Sequence, residues 1–416
     1  MGFDKNLLLA KKSFRDKLDA IYNVPAEKSA ERIVSLLKRH NDPDARLFSS
    51  PGRIEIVGNH TDHNNGKVLA AAVSVDTIAA VTPLSENKVI VDSVGYPLVE
   101  VDLSDLAVNP AEKGTSDALI RGVAKGFVDR GLKIGGFRAT TTSNVSKGAG
   151  VSSSASFEVL ASEIFNVLYN DKKVSKVDKA IISQYAENVY FGKPSGLMDQ
   201  SAISLGGVSY IDFKDTKNPV IENLDWRFDD LAVVIVNCGG DHCNLTPEYS
   251  AIRSEMESVA GFFGEKTLRF VDEHKFGDGI AELMQKVSGR AILRAYHFFA
   301  ENKRVEDARR ALKKKDKEGL LKAVEASGRS SYMLLQNCYP EGDKAQRIPL
   351  ALAVASAFPA IGAVRVHGGG FAGTILTFLE AEKATAFVVQ MGKLFGKDNV
   401  FNLKIRKDGA VEIPLK

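Results

Sequence analysis

Cysteine is scarce in this chain: only Cys238, Cys243 and Cys338 occur among 416 residues. None stands in a Cys-x-x-Cys pair, and no His-x-x-x-His completes a zinc site with them. A disulfide-stapled scaffold is thus excluded, and few unpaired thiols fit a reducing, cytoplasmic setting. An excess of charge of one sign is also lacking: 55 basic and 52 acidic side chains leave a formal net charge of +3. That balance gives no electrostatic argument for nucleic acid or a membrane as partner. Missing too is any apolar run near the ~20 residues of a membrane span. Leu231 to Val236 has the length of a buried strand. The first twelve residues carry too short an apolar run for a secretory signal, and Asn6 stands where a myristoylation signal has Ser or Thr. Repeats and low-complexity linkers are absent.

What is present is ordinary globular material, 44% hydrophobic and 26% charged, in a chain long enough for two or three domains. Leu7, Leu8, Phe14, Leu18 and Ile21, then Ile33, Leu36 and Leu37, recur at helical spacing up to His40. From Arg46 to Gly58 apolar and polar residues alternate, as in an antiparallel strand. Val68 to Val81 reads as a buried strand, or a short helix and a strand. Residues 88–93 and 98–103 form a strand pair around a turn. Helical period returns over 117–130, 152–168 and 177–190, the last stopped by Gly192 and Pro194. Strands are expected at 137–143, 208–213 and 231–236, with a domain boundary near 215–218. The second half predicts helices over 249–263, 289–302 and 305–327, then strands at 363–366 and 373–379. Residues 402–405 and 410–413 flank a Lys-Asp-Gly hairpin turn. The expected class is α+β, divided into domains over 1–215 and 216–416.

Three stretches carry more Gly, hydroxyl and charge than structure alone requires. Ser146-Lys-Gly-Ala-Gly-Val-Ser-Ser-Ser-Ala-Ser156 sits where a strand ends and an amphipathic helix begins. Glycines allow close backbone approach, and the first helical turn offers unpaired N–H groups to a di- or triphosphate. It is not a Walker sequence, because Gly-Lys-Ser/Thr is absent. One Ser would suffice as a plain helix cap; three in a row favour the phosphate cradle. The second stretch, Pro51 to Gly66, delivers the run Asn59-His-Thr-Asp-His-Asn-Asn-Gly66, in which nearly every side chain can hydrogen-bond. Such density suits a polyhydroxylated ligand. His60, Asp62 and His63 lack the spacing of a known zinc site. The third, His367-Gly-Gly-Gly-Phe-Ala-Gly373, is either a tight corner or a close approach to a ligand. Between them lie Glu187 on a helix and Asp199 after the turn Pro194-Ser-Gly-Leu-Met. Beside a phosphate cradle, two carboxylates supply a magnesium ligand and a group to orient or deprotonate a hydroxyl.

This set resembles the galactokinase family, within the superfamily of homoserine, mevalonate and phosphomevalonate kinases. Pro51–Leu69 is similar to the galactokinase signature, Lys147–Ser156 to the phosphate loop, and Val366–Thr374 to the third, glycine-rich motif. The likeness runs in the family's order through 196–200 and 247–253 and covers most of the chain. It implies two α+β domains with the active site in the cleft between them. It also implies ATP and Mg2+, and transfer of phosphate to the anomeric hydroxyl of galactose or a close derivative. By the resemblance, Gly148, Ala149, Gly150, Val151, Ser152, Ser153 and Ser154 wrap the ATP phosphates, with Ser154 and Glu187 on the magnesium. Asp199 faces the anomeric hydroxyl with Arg53 beside it. Asn59, His60, Thr61 and Asp62 line the sugar pocket, which Gly196 and Tyr249 close. The partner is a small-molecule sugar, and a monomer is expected.

Two positions depart from the family, 59 and 63, and the first bears on the sugar. The signature's usual Gly-Glu-His-Thr-Asp-Tyr is here Gly58-Asn-His-Thr-Asp-His63. The family's Glu meets a hydroxyl at the far end of the sugar, whereas Asn59 is shorter, neutral, and donates as well as accepts. A uronic acid or an amino sugar is therefore an alternative acceptor. A non-catalytic sugar and ATP sensor on the same fold is another, disfavoured by the intact Ser152–Ser156 run and Asp199. A mevalonate-type kinase is weaker still, because the sugar signature is present.

Overall fold

A computed structural model describes residues 3–22, 24–145, 150–239, 245–371 and 373–415. The strands are β1 (Arg46–Val57), β2 (Lys67–Pro83), β3 (Lys88–Ser93), β4 (Val99–Asp102), β5 (Phe137–Ser143), β6 (Val208–Asp212), β7 (Val220–Leu224), β8 (Leu231–Asn237), β9 (Ile361–Val366), β10 (Thr374–Glu380), β11 (Val400–Leu403) and β12 (Val411–Ile413). They form two sheets. The first runs β12-β1-β2-β5-β3-β4, with β6 and β7 attached to the other half of β2; the second runs β11-β8-β10-β9. Pairing is antiparallel except between β3 and β5.

β1 and β2 are the spine of the first sheet. β1 can hold Pro51 in its interior because the register with β2 slips between Pro51 and Gly52, so no regular ladder bond is required there. β2 is one strand of 17 residues, not a helix and a strand. Its first part pairs with β6 and its last with β5. The helices Ser116–Val128 and Ser153–Tyr169 bury Ile120, Val123, Leu160 and Phe165 against one face. The N-terminal helices pack Phe14, Leu18, Ile33 and Leu37 on the other, against Leu47 and Ile78. A second core joins the sheets, with Ile54, Ile56 and Leu69 meeting Val233, Ile235 and Leu376.

Two local expectations are corrected. The helices expected at 289–302 and 305–327 are Gly289–Lys314 and Lys317–Ser330. The break falls where Lys315 turns left-handed (φ 56°) and the Asp316 side chain caps Gly319 N–H. The C-terminal strands are not a hairpin: β11 pairs with β8 in the second sheet, and β12 with β1 in the first. Between them the fully buried Arg406 holds the Ser49 and Gly409 carbonyls and lies 3.5 Å from Asp76. The chain leaves the first sheet only after β7, beyond the 215–218 turn. Among the described residues, no helix is long and apolar enough to cross a membrane. Cys238 and Cys338 are free and buried; Cys243 lies outside the described residues.

Candidate active site

The sequence motifs converge along β1. Arg53 and Glu55 are two apart on this strand, so they point to one face. Arg53 meets Asp199, near the start of the helix Met198–Leu205, in a two-pronged pair: Nε donates to Oδ1 at 2.6 Å and Nη2 to Oδ2 at 2.8 Å. Arg53 Nη1 donates to the Gly150 carbonyl, and Ser152 Oγ donates to Asp199 Oδ2. One carboxylate thus gathers the signature strand, the phosphate loop and the 196–200 turn. Ser152 stands at the N-cap of the helix Ser153–Tyr169 with a left-handed backbone (φ 61°) and makes no capping bond. Its hydroxyl serves Asp199 instead, and the first helical amides stay without intrahelical partners. Burial raises the Asp199 pKa, but the Arg53 charge and hydrogen bonds outweigh it, so the group sits below its ordinary value and is ionised at neutral pH. The Asp199 side chain keeps 22% exposure, against 6% for Arg53.

The adjoining hydroxyl, Ser154 Oγ, donates to Glu187 Oε1 at 2.7 Å. Glu187 is buried on the π-helical turn Ala186–Phe191, and its Oε2 accepts from Gln200 Nε2 at 2.8 Å. Gln200 also reaches Glu158, whose other carboxylate oxygen has no partner. Val151 and Ser153 flank Ser152 at the helix entry, while Gly148 and Ala149 lie outside the described residues. Among the described residues no cluster of three or more His, Cys, Asp or Glu forms a metal cage. A magnesium ion that takes one or two protein oxygens and completes its shell with phosphate and water needs none. The Ser154 and Glu187 oxygens fit that requirement.

The 59–62 run lies at the other end of the Arg53–Asp199 pair. The Asp62 carboxylate is set against the 196–198 turn, 3.4 Å from Met198 N–H. A Cβ on Gly196 would stand 1.7 Å from an Asp62 oxygen, so only glycine allows this approach. His60, left-handed at φ 56°, places Nε2 3.0 Å from the Gly369 carbonyl, which puts the proton on Nε2. Burial, foremost, lowers its pKa to about 3, with Arg294 adding to the effect. Tyr249 closes the same corner, its hydroxyl donating to the Gly370 carbonyl at 3.0 Å and its ring edge-on to Phe371. Thr61 is turned inward, its hydroxyl between the Gly58 and Lys67 carbonyls.

Asn59 is brought to this corner but faces protein. Its Nδ2 donates to Glu55 Oε1 at 3.0 Å and the Gly368 carbonyl at 2.7 Å. Its Oδ1 accepts from Ser331 at 3.1 Å and Asn337 at 2.8 Å. With zero exposure and both ends of the amide taken, it offers no free polar atom to a sugar.

Behind Asn59 is a sealed polar network that the sequence did not disclose. Arg365 Nη2 donates to Glu55 Oε1 at 2.6 Å, and both side chains are almost inaccessible, at 0% and 2%. Burial drives the Glu55 pKa up to about 7 despite Arg365 and Arg53. Glu301 accepts from Gly58 N–H at 2.9 Å and Asn59 N–H at 3.2 Å, and Arg304 at 2.6 Å balances it. His367 Nε2 accepts the Glu55 N–H at 3.0 Å. Apart from Arg304 and Glu301, these partners lie hundreds of residues apart, and the charged ones alone look like surface charges.

Similarity to known proteins agrees with this geometry. Residues 37–83 match the galactokinase galactose-binding signature, and residues 118–207 match the GHMP kinases N terminal domain. The chain is 33% identical to a galactokinase of Haemophilus influenzae over 82% of its own length and 87% of that protein's. With a Clostridium tetani galactokinase it shares 28% identity, over 87% of this chain and 91% of the relative. Its fold superposes on that of Lactococcus lactis galactokinase complexed with galactose with a TM-score of 0.78 at 21% identity, covering 92% of this chain and 98% of the other. A Methanococcus jannaschii mevalonate kinase gives 0.62 at 14% identity, over 87% and 99% of the two chains. The α+β fold is that of the GHMP kinases, and the chain is a sugar kinase of the galactokinase family.

Proposed function

We propose that this enzyme transfers the terminal phosphoryl group of ATP to the anomeric hydroxyl of galactose. The observation that supports the reading most is the Asp199 carboxylate, held ionised by Arg53 and by Ser152 of the phosphate loop while part of it stays open to solvent. A carboxylate in this position orients the attacking hydroxyl and takes its proton as the phosphorus–oxygen bond forms. Gly148 to Ser154 hold the phosphates, the exposed amides of the helix start adding donors. Ser154 and Glu187 would hold a magnesium ion, whose charge would offset that of the transferring group. His60, Asp62, Gly196 and Tyr249 shape the sugar end, and the protein works as a monomer in the cytoplasm, in two domains over 1–215 and 216–416.

Asn59 enters this reading as a brace for the signature turn, because its amide is saturated by Glu55, Gly368, Ser331 and Asn337. Selectivity at the far end of the sugar then belongs to other groups, and galactose ranks above uronic acids and amino sugars. A panel of sugars assayed for ATP-dependent ADP release tests the proposal. Galactose should give the highest kcat/KM and yield the sugar 1-phosphate; release independent of any sugar, or a stronger uronic acid, would overturn it.

A further inference from the structure

Glu187 carries a second contact that the site above leaves unexplained. Lys193 Nζ lies 2.9 Å from Glu187 Oε1, the same oxygen that accepts Ser154 Oγ. The lysine is held at both ends, since its own backbone N–H donates to the Glu187 carbonyl at 3.1 Å. Gly192, left-handed at φ 81°, ends the π-helical turn and folds the chain back to allow this. The partners differ in exposure: the Glu187 side chain is 2% exposed and that of Lys193 55%. A buried carboxylate is thereby neutralised by an ammonium that enters from the solvent side.

We infer that Lys193 is the resident counter-ion of the magnesium position and competes with the metal for Glu187. The inference rests on the proposed use of Ser154 and Glu187 as metal ligands. Two cations on one carboxylate oxygen repel strongly where solvent is scarce. Metal entry must then release the ammonium, and a side chain this exposed can turn toward the phosphate oxygens that arrive with the metal. Lys193 is thus a positioning residue: it holds Glu187 ready before loading and raises the metal concentration that loading demands.

The test is thermal unfolding of the full chain against MgCl2 without nucleotide, at constant ionic strength, for wild type, Lys193→Met and Lys193→Arg. Lys193→Met should melt lower in chelator, because Glu187 is left buried without a counter-ion. It should then recover with Mg2+ at a half-effect concentration at least ten-fold below wild type. Lys193→Arg, which keeps the charge, should behave as wild type. If Lys193→Met does not fold, Lys193→Gln takes its place. Equal Mg2+ responses in wild type and Lys193→Met would overturn the inference. Adding Glu187→Gln to Lys193→Met separates it from the reading beneath it. Loss of the response places the metal at Glu187, whereas a response that survives puts it elsewhere and overturns both.

Discussion

Two arginine–carboxylate pairs leave the same strand two residues apart, and they do different work. Arg53–Asp199 and Arg365–Glu55 have equal closest distances, 2.6 Å. The first keeps 22% exposure on its carboxylate and adds a hydroxyl from the phosphate loop. The second is sealed, braced by Asn59 on one side and by the Ile56 and Val366 carbonyls on the other. Access to solvent, not the chemistry of the pair, separates the proposed reaction centre from the scaffold. Arg53 holds Asp199 ionised for use, whereas burial moves Glu55 up to about 7 and spends its oxygen on holding the signature turn.

The largest effect expected on this contrast comes from the sealed side. Arg365→Met leaves Glu55 in the interior without its counter-charge, at a cost of about 3–5 kcal/mol. A urea midpoint within error of wild type would remove the distinction between the pairs. Asn59→Glu is the next step down. It sets a second carboxylate against Glu55 at a position closed to solvent and should cost about 3 kcal/mol. An unchanged melting temperature with an altered sugar preference would instead return position 59 to the sugar pocket.

Acid dependence sharpens the comparison further. Burial holds His40 near 4 and His60 near 3, and His297 and His367 are lowered as well. An unfolded histidine protonates near 6.5. The stability these four contribute is therefore complete above pH ~6.5 and is lost as pH falls toward their folded values. Glu55 and Glu158, both raised by burial, work the other way but are fewer. Stability should fall between pH 6.5 and 5 by roughly 1.4 kcal/mol per pH unit for each net proton. A flat urea midpoint across that range would mean that the buried imidazoles are not held neutral. The smallest effect belongs to the open side: Ser154→Ala and Glu187→Gln should each raise the magnesium needed for half activity several-fold. Unchanged titrations in both would dismiss the assignment.

The same contrast explains what could be read in the chain. The cleft-facing parts announce themselves because their signals are local: Gly and Ser crowded at a helix start, polar residues packed into one turn, a carboxylate after Ser195-Gly196. Strand and helix periods gave most elements for the same reason. The sealed network was illegible because Glu55 finds Arg365, and Glu301 finds Gly58, only after folding. Asn59 illustrates the limit: a motif placed it at the site but not which way its amide turns. The C-terminal turn failed alike, since Lys-Asp-Gly marks a bend while β11 and β12 choose partners in different sheets. Lys193 is not legible, because a lone lysine after Gly192 carries no pattern.

Asp199→Asn tests the central claim, that the cleft-facing pair is the reaction centre, most directly. The substitution keeps the shape and removes the charge, and it leaves Arg53 its Gly150 contact. Galactose-dependent turnover measured beside galactose and ATP binding should fall by about 10²–10⁴-fold with binding retained, the range expected on losing a positioned base. Turnover near that of wild type, with the protein folded and saturated, would contradict the account.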